Sequence, residues 1–200
     1  SFSDMLSPFS DKIAFVHDVY DADAVFVLGG DGTMIKGARA ALDKGIPLAG
    51  INYGHLGYMT ELEIGDTDMI DKIISGECRI ESRMMIDVRI KRDGKYIEMK
   101  YPALNDAVIS NGPVAHLMRF DMYCDGTLAR RTRGDGVVIS TPTGSTAYSM
   151  SAGGPVLDPC LKCICATYVC PHSLGARSVI FGGGSVITIK NISCRSTGVY

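Results

Sequence analysis

The stretch AVFVLGGDGTMIKGAR, residues 24–39, joins an apolar run to a glycine-rich turn and then to a helical pattern. Ala24–Leu28 reads as a short buried strand, and Thr33–Leu42 as an amphipathic helix entered through Gly29-Gly30-Asp31-Gly32. Working outward, Ile46–Asn52 (IPLAGIN) is a second apolar strand. Strand, crossover helix and strand in that order predict a parallel, Rossmann-like α/β unit. Ligands of such sheets sit beyond the carboxyl ends of the strands, where Gly29–Thr33 and Asn52–Gly57 both fall. A further helix is expected over Asp66–Ser75, with Met69, Ile70, Ile73 and Ile74 at helical spacing and Gly76 as its stop.

A glycine-rich turn offers backbone N–H groups to an anion, yet this one carries a carboxylate. The dinucleotide fingerprint fails because Ile35 stands where its third glycine belongs. A Walker loop fails because Ala38, not Lys, follows Gly37. Two readings of Asp31 remain. It can turn the chain and cap the helix. Alternatively it stands beside bound phosphate, where an uncompensated carboxylate meets repulsion of about 4 kcal/mol at about 4 Å and an effective dielectric of about 20. Such a placement makes sense if a metal ion neutralises the pair or if the acid accepts a proton. In phosphoryl transfer to an alcohol, an aspartate takes the hydroxyl proton while backbone groups and Mg²⁺ hold the phosphates. The second reading is preferred, with Asp31 as a general base.

From about Ser82 the pattern changes. Ile86, Val88 and Ile90 alternate with Asp87, Arg89 and Lys91 before Asp93-Gly94, and Phe120, Met122 and Cys124 lead to Asp125-Gly126; both pairs suit hairpin turns. An antiparallel, sandwich-like β domain is therefore expected over residues 81–200, after an α/β domain over residues 1–80. Within it, Asn105-Asp106 places an amide beside a carboxylate, a pair able to read ribose hydroxyls or simply to form an Asx turn. The run RGDGVVISTPTGSTAYSMSAGGP, residues 133–155, reads as a strand at Val137–Ile139, a hydroxyl-rich turn at Thr141–Ser145 and a helix from Thr146 to Ser151. First-turn N–H groups and the Tyr148 ring suit a nucleotide.

The bulk numbers fit a soluble globular chain: 200 residues, 46% hydrophobic, 21% charged, net charge −2. That balance argues against nucleic acid or an anionic membrane as main partner. No apolar run reaches the roughly 20 residues of a membrane span, and no basic-then-apolar signal pattern opens the chain. Seven cysteines without regular spacing suit a reducing cytoplasm. Cys163 and Cys165 fall on one face of an apolar strand in CICATYVC, where cysteine acts as a small hydrophobe rather than a zinc ligand.

Taken together, GGDGT at 29–33, NYGHLG at 52–57, Asn105-Asp106, the TPTGSTAYS run and CPHSL at 170–174 closely resemble the NAD kinase family. Diacylglycerol-type lipid kinases and phosphofructokinases carry similar glycine-aspartate loops; the TPTGSTAYS run is the specific signal. The resemblance implies an α/β nucleotide-binding domain paired with an all-β domain. It implies transfer of the γ-phosphate of ATP, with Mg²⁺ or another divalent cation, to the 2′-hydroxyl of the adenosine ribose of NAD, giving NADP. Asp31 would take the hydroxyl proton, and Gly30, Gly32 and Thr33 would shape the phosphate loop. Asn105, Asp106, His116, Arg133, Asp135 and Thr143 would contact NAD, with Thr146, Ala147, Tyr148, Ser149, Met150 and Ser151 as the adenosine-recognition face. No protein metal ligand is implied. The family forms homo-oligomers (dimers or tetramers), and the loop around Asp135 can reach a neighbouring subunit's site. Members usually carry a strand before the glycine-aspartate loop and further strands at the end, so both domains are expected to be incomplete here. Tyr168 and Ser178 stand where proline is usual, and Gly182-Gly183-Gly184 leads to an expectation of irregular last strands. The alternatives are a nucleotide-binding module without turnover and, less favoured, a lipid kinase.

Overall fold

The computed structural model describes residues 2–53, 57–110, 117–173, 175–193 and 198–199. The chain divides into two units, Ser1–Glu81 and Ser82–Tyr200. The first begins with helix α1 (Phe2–Leu6), followed by strand β1 (Val25–Leu28), helix α2 (Asp31–Ala41), β2 (Leu48–Asn52), the short β3 (Leu62–Glu63) and α3 (Thr67–Ile74). The strands form one parallel sheet in the order β1-β2-β3. Met5, Leu6 and Phe9 pack with Ile51, Leu62 and Ile70 to make its core. In α3 the helical spacing delivers Ile70 to full burial with Ile73 and Ile74 beside it, while Met69 turns outward at 43% exposure.

Helix α2 starts two residues earlier than its apolar pattern indicates. Gly30 takes the N-cap with extended backbone, so Asp31 and Gly32 already lie in the first turn. Gly29 enters this turn with a φ of +146°, a conformation that side chains resist. β1 is only half-buried, with Leu28 exposed.

The second unit starts with a hairpin of β4 (Arg89–Arg92) and β5 (Lys95–Glu98), which forms a separate two-stranded ladder around Asp93-Gly94. Then come β6 (Asp106–Ser110), β7 (Met118–Cys124), β8 (Thr127–Gly134), β9 (Gly136–Ser140), the single-turn helix α4 (Tyr148–Ser151), β10 (Cys163–Val169), β11 (Val179–Gly182), β12 (Ile187–Asn191) and β13 (Gly198–Val199). A five-stranded sheet of order β11-β10-β9-β6-β13 and a three-stranded sheet of order β12-β7-β8 share one apolar layer. Side chains alternate across each strand. Ala107, Val137, Ile139, Ile164, Ala166 and Tyr168 point from the larger sheet toward Met118, Phe120 and Met122 of the smaller. The Phe120 and Tyr168 rings stack at 6.1 Å. Fully burying side chains of this size contributes about 1.5–3 kcal/mol each.

β8 and β9 are nearly one strand. The backbone passes from one sheet to the other at Gly134-Asp135-Gly136, where the Asp135 N–H donates to the Val169 carbonyl at 2.9 Å. The last strands form regular ladders despite the glycine run: Ile187–Asn191 pairs residue for residue with Cys124–Phe120. Ser185 N–H donates to Gly182 O at 3.0 Å, so the chain turns just after Gly182, the last residue of β11, and Gly183-Gly184 stay out of the strands.

Candidate functional site

In the first unit, the turn after β1 and the loop after β2 both lie at the carboxyl ends of parallel strands. Asp31 ties them together. Its Oδ2 accepts from the Tyr58 N–H at 3.1 Å, and its Oδ1 from the Met59 N–H at 3.0 Å. It does not cap its own helix, whose N-cap receives no side-chain bond. A carboxylate has about four acceptor positions, so two stay open while the backbone holds the group in place. Gly57 is where the loop comes closest: a Cβ there would run into the Asp31 carboxyl. Gly30, Gly32 and Thr33 are exposed around it, and Gly30 and Gly32 have open space beside them. These residues open α2, where the helix dipole favours an anion; the Thr33 N–H already donates to Gly30 O at 2.9 Å. Tyr58 and Met59 were not singled out from the sequence; they act through backbone N–H groups, which every non-proline residue has. His55 lies outside the described residues.

In the second unit the cluster forms where β6 begins and β9 ends. Thr141 N–H donates to Asn105 O at 2.8 Å, and Thr141 Oγ1 donates to Leu104 O at 2.5 Å while accepting from Gly144 N–H at 3.0 Å. Asp106 and Ser140 are register partners, so they share the face of the sheet turned away from the sandwich core. Asn105 Oδ1, Ser140 Oγ and Thr143 Oγ1 are all buried and have no hydrogen-bond partner among the described residues. Three orphaned acceptors and donors at one strand end are costly, about 1–3 kcal/mol each. A ligand's polar groups would relieve that cost.

The helix expected from Thr146 to Ser151 is broken. Thr143–Thr146 forms a 3₁₀ turn, Ala147 leaves helical space at φ −95° and ψ −127°, and α4 is a single turn. Tyr148, Met150 and Ser151 are exposed. Ser149 turns fully inward, hydrogen-bonding Thr167 Oγ1 at 3.0 Å, and Thr167 continues to Ser178 Oγ at 3.1 Å. Ser145 is also used internally, accepting from Leu157 N–H at 3.0 Å. Of the run singled out in the sequence, the exposed members are therefore Tyr148, Met150 and Ser151, with Thr146 and Ala147 half-buried.

Arg133 and Asp135 are not brought to Asn105 and Asp106. They lie at the Gly136 end of β9, four residues from Ser140, and Arg133 projects from the outer face of the smaller sheet. His116 lies outside the described residues. Among the described residues no three His, Cys, Asp or Glu side chains gather to hold a metal ion, and six cysteines are free.

Burial raises the Asp106 pKa above its ordinary 3.8. Between the unfolded and folded values the native state keeps a proton that the unfolded chain has lost. Stability therefore falls as pH rises through that window and stays reduced above it. Asp106→Asn is expected to stabilise the chain at neutral pH, with the advantage shrinking as pH falls toward 3.8. Urea unfolding of parent and variant at two pH values would check this.

A parallel α/β unit carrying a glycine-aspartate turn, followed by a β-sandwich carrying a hydroxyl-rich cluster, defines a class of two-part chains. Within that class the sequence matches ATP-NAD kinase N-terminal domains over residues 10–78 and ATP-NAD kinase C-terminal domains over residues 104–198. The chain belongs to the ATP-NAD kinase family. It is 44% identical over 171 residues to the NAD kinase of Symbiobacterium thermophilum, covering 85% of this chain and 60% of that protein. It is 40% identical over 178 residues to the NAD kinase of Heliobacterium modesticaldum, covering 88% and 62%. The chain thus spans about three-fifths of the curated relatives it matches. Yeast NADH kinase complexed with NADH superimposes with a TM-score of 0.83 at 28% identity, over 98% of this chain and 63% of that one. An NAD kinase from Archaeoglobus fulgidus in complex with ATP shares the fold, with a TM-score of 0.75 at 21% identity, over 99% and 82%.

Proposed function

We propose that this chain is an NAD kinase, transferring the γ-phosphate of ATP to the 2′-hydroxyl of the adenosine ribose of NAD. The observation that carries the reading is the trio of orphaned buried groups, Asn105 Oδ1, Ser140 Oγ and Thr143 Oγ1, beside the raised-pKa Asp106. An amide, two hydroxyls and a carboxyl at one strand end match the donors and acceptors of a nucleoside. The relatives named as NAD kinases support the same reaction.

In this mechanism Asp31 accepts the proton of the ribose hydroxyl through an open carboxylate position, with the Tyr58 and Met59 N–H groups fixing its orientation. Gly30 and Gly32 receive the donor's phosphates on the backbone at the start of α2, with the exposed Thr33 hydroxyl beside them. Tyr148 offers its exposed ring to the purine or ribose, flanked by Thr146, Ala147, Met150 and Ser151. Mg²⁺ fits as a partner of the ATP phosphates, since it binds through phosphate oxygens and water with few protein carboxylates. When bound, it neutralises charge on the transferring phosphoryl group.

Arg133 and Asp135, remote from Asp106 within the chain, would serve a neighbouring subunit's site in a homo-oligomer. The six free cysteines support a cytoplasmic setting, and no helix among the described residues is long and apolar enough to cross a membrane. The test is to incubate the chain with ATP, Mg²⁺ and NAD and assay NADP. NADP formation is expected; NAD binding without NADP would make the chain a binding module.

A further inference from the structure

Helix α4 is a single turn, too short to hold its own orientation by internal hydrogen bonds. Its anchor lies outside it. Tyr148, Met150 and Ser151 face solvent, and Ser149 is the one buried residue of α4. The Ser149 side chain is fully enclosed and shares its 3.0 Å hydrogen bond with Thr167 Oγ1. Thr167 is itself only 1% exposed, and its hydroxyl also meets Ser178 Oγ at 3.1 Å and Cys165 Sγ at 3.5 Å. Gly154 seals the pair: a Cβ there would collide with both the Ser149 and the Thr167 hydroxyl, and the Gly154 N–H closes the turn on Ser149 O at 2.8 Å.

The sheet beneath places this contact beside the orphaned polar groups. Ile164, Ala166 and Tyr168 of β10 enter the sandwich core, so Cys165 and Thr167 face the other way. Asp106, Ser140 and Cys165 form one rung across β6, β9 and β10, and Val108, Val138 and Thr167 form the next rung on that face. Thr167 therefore stands about 7 Å along the sheet from the Asp106–Ser140 rung, on the same side. The kinase mechanism gives it no part.

We infer that Thr167 is the positioning residue of the nucleoside-binding turn. By holding the Ser149 hydroxyl against β10, it fixes which side chains between Tyr148 and Ser151 face outward. At 1% exposure Thr167 is beyond a ligand's reach and acts through Ser149. The inference rests on the reading of Tyr148, Met150 and Ser151 as the adenosine-recognition face. Ser178 lies at the far end of the same chain of hydroxyls, away from Ser149, which makes it the natural control.

The test compares the full chain with Thr167→Val, Ser149→Ala, Thr167→Ser and Ser178→Ala. Valine keeps the shape of threonine and removes the hydroxyl. One readout is amide hydrogen exchange at Ala152, Gly153 and Gly154, whose N–H groups donate to the Tyr148, Met150 and Ser149 carbonyls. The other is steady-state kinetics with NAD and ATP, alongside the unfolding midpoint. Thr167→Val and Ser149→Ala are each expected to speed exchange at the three amides by about five- to tenfold, the size of one lost hydrogen bond. KM for NAD rises by a similar factor while kcat and KM for ATP hold, as loss of uniform binding requires. Thr167→Ser restores both readouts. Ser178→Ala removes a bond from the same buried chain, so it lowers the midpoint but leaves KM for NAD at the parental value. An NAD KM that follows the midpoint across all four variants overturns the proposal. So does unchanged exchange in Thr167→Val, or faster exchange with a parental KM. A parent that makes no NADP overturns the kinase reading instead, and the exchange data alone then decide whether Thr167 holds the turn.

Discussion

Asp31→Asn is expected to lower NADP formation by about 10²–10⁴-fold, the range a positioned general base supplies, with little change in the unfolding midpoint. Asparagine matches the shape of aspartate and can still accept one of the two N–H groups that hold it. The other would face an amide NH₂ and lose its partner at a net cost of about 1 kcal/mol. The Tyr58 and Met59 bonds at 3.1 and 3.0 Å make this separation possible, because they fix the side chain from the backbone of another segment. Steady-state kinetics and a thermal melt on the same preparation would check it. A loss below tenfold with the fold intact would leave Asp31 as a structural tie between two loops and remove it from the chemistry.

Gly144→Ala is the second large effect, and it acts through packing. A Cβ at this position would lie inside van der Waals contact of the Asn105 Cα, carbonyl carbon and carbonyl oxygen. These are backbone atoms, so no rotamer change relieves the clash. Overpacking of this kind typically costs about 1–3 kcal/mol, and a backbone-on-backbone contact belongs at the upper end. The shift would also stretch the Thr141-to-Asn105 bond at 2.8 Å and the Gly144-to-Thr141 bond at 3.0 Å, both of which set the position of the Asn105 amide. NAD affinity should therefore fall further than stability. Urea denaturation and an NAD titration would measure the two losses. Parental stability with parental NAD binding would contradict the close approach.

The parallel unit was legible because apolar strand, glycine turn and amphipathic helix follow one another without interruption from Val25 to Ala41. Both hairpin turns after Ser82 were legible too, since Asp-Gly pairs stand between alternating runs; Asp93 and Asp125 adopt φ of 51° and 50°. The burial of Cys163 and Cys165 follows from the apolar run around them. Other features depend on tertiary contacts. Asp31 is engaged by backbone groups 27 and 28 residues away, which carry no residue signature. Ser149 and Met150 are neighbours in an apparently uniform run, yet one faces Thr167 and the other solvent, because the break at Ala147 resets the helical phase. Arg133 and Asp106 belong to one sequence motif set but to opposite faces of a sandwich, a separation set by the sheet crossing at Asp135.

The Ser149–Thr167–Ser178 chain of hydroxyls bears on how the sheet finds its alignment. β10 is buried on both faces from Cys163 to Tyr168, so hydrophobicity gives no preference between one pairing and the same pairing slipped by a residue. Thr167 does give one. In the native alignment its hydroxyl meets Ser149 and Ser178 on the side away from Phe120. A one-residue slip would turn it into the layer of Met118, Phe120 and Met122 and leave the Ser149 and Ser178 hydroxyls without it, at a cost of about 1–3 kcal/mol. A polar thread through an apolar strand thereby acts as an error check on assembly, discriminating against misaligned sheets before any substrate is met.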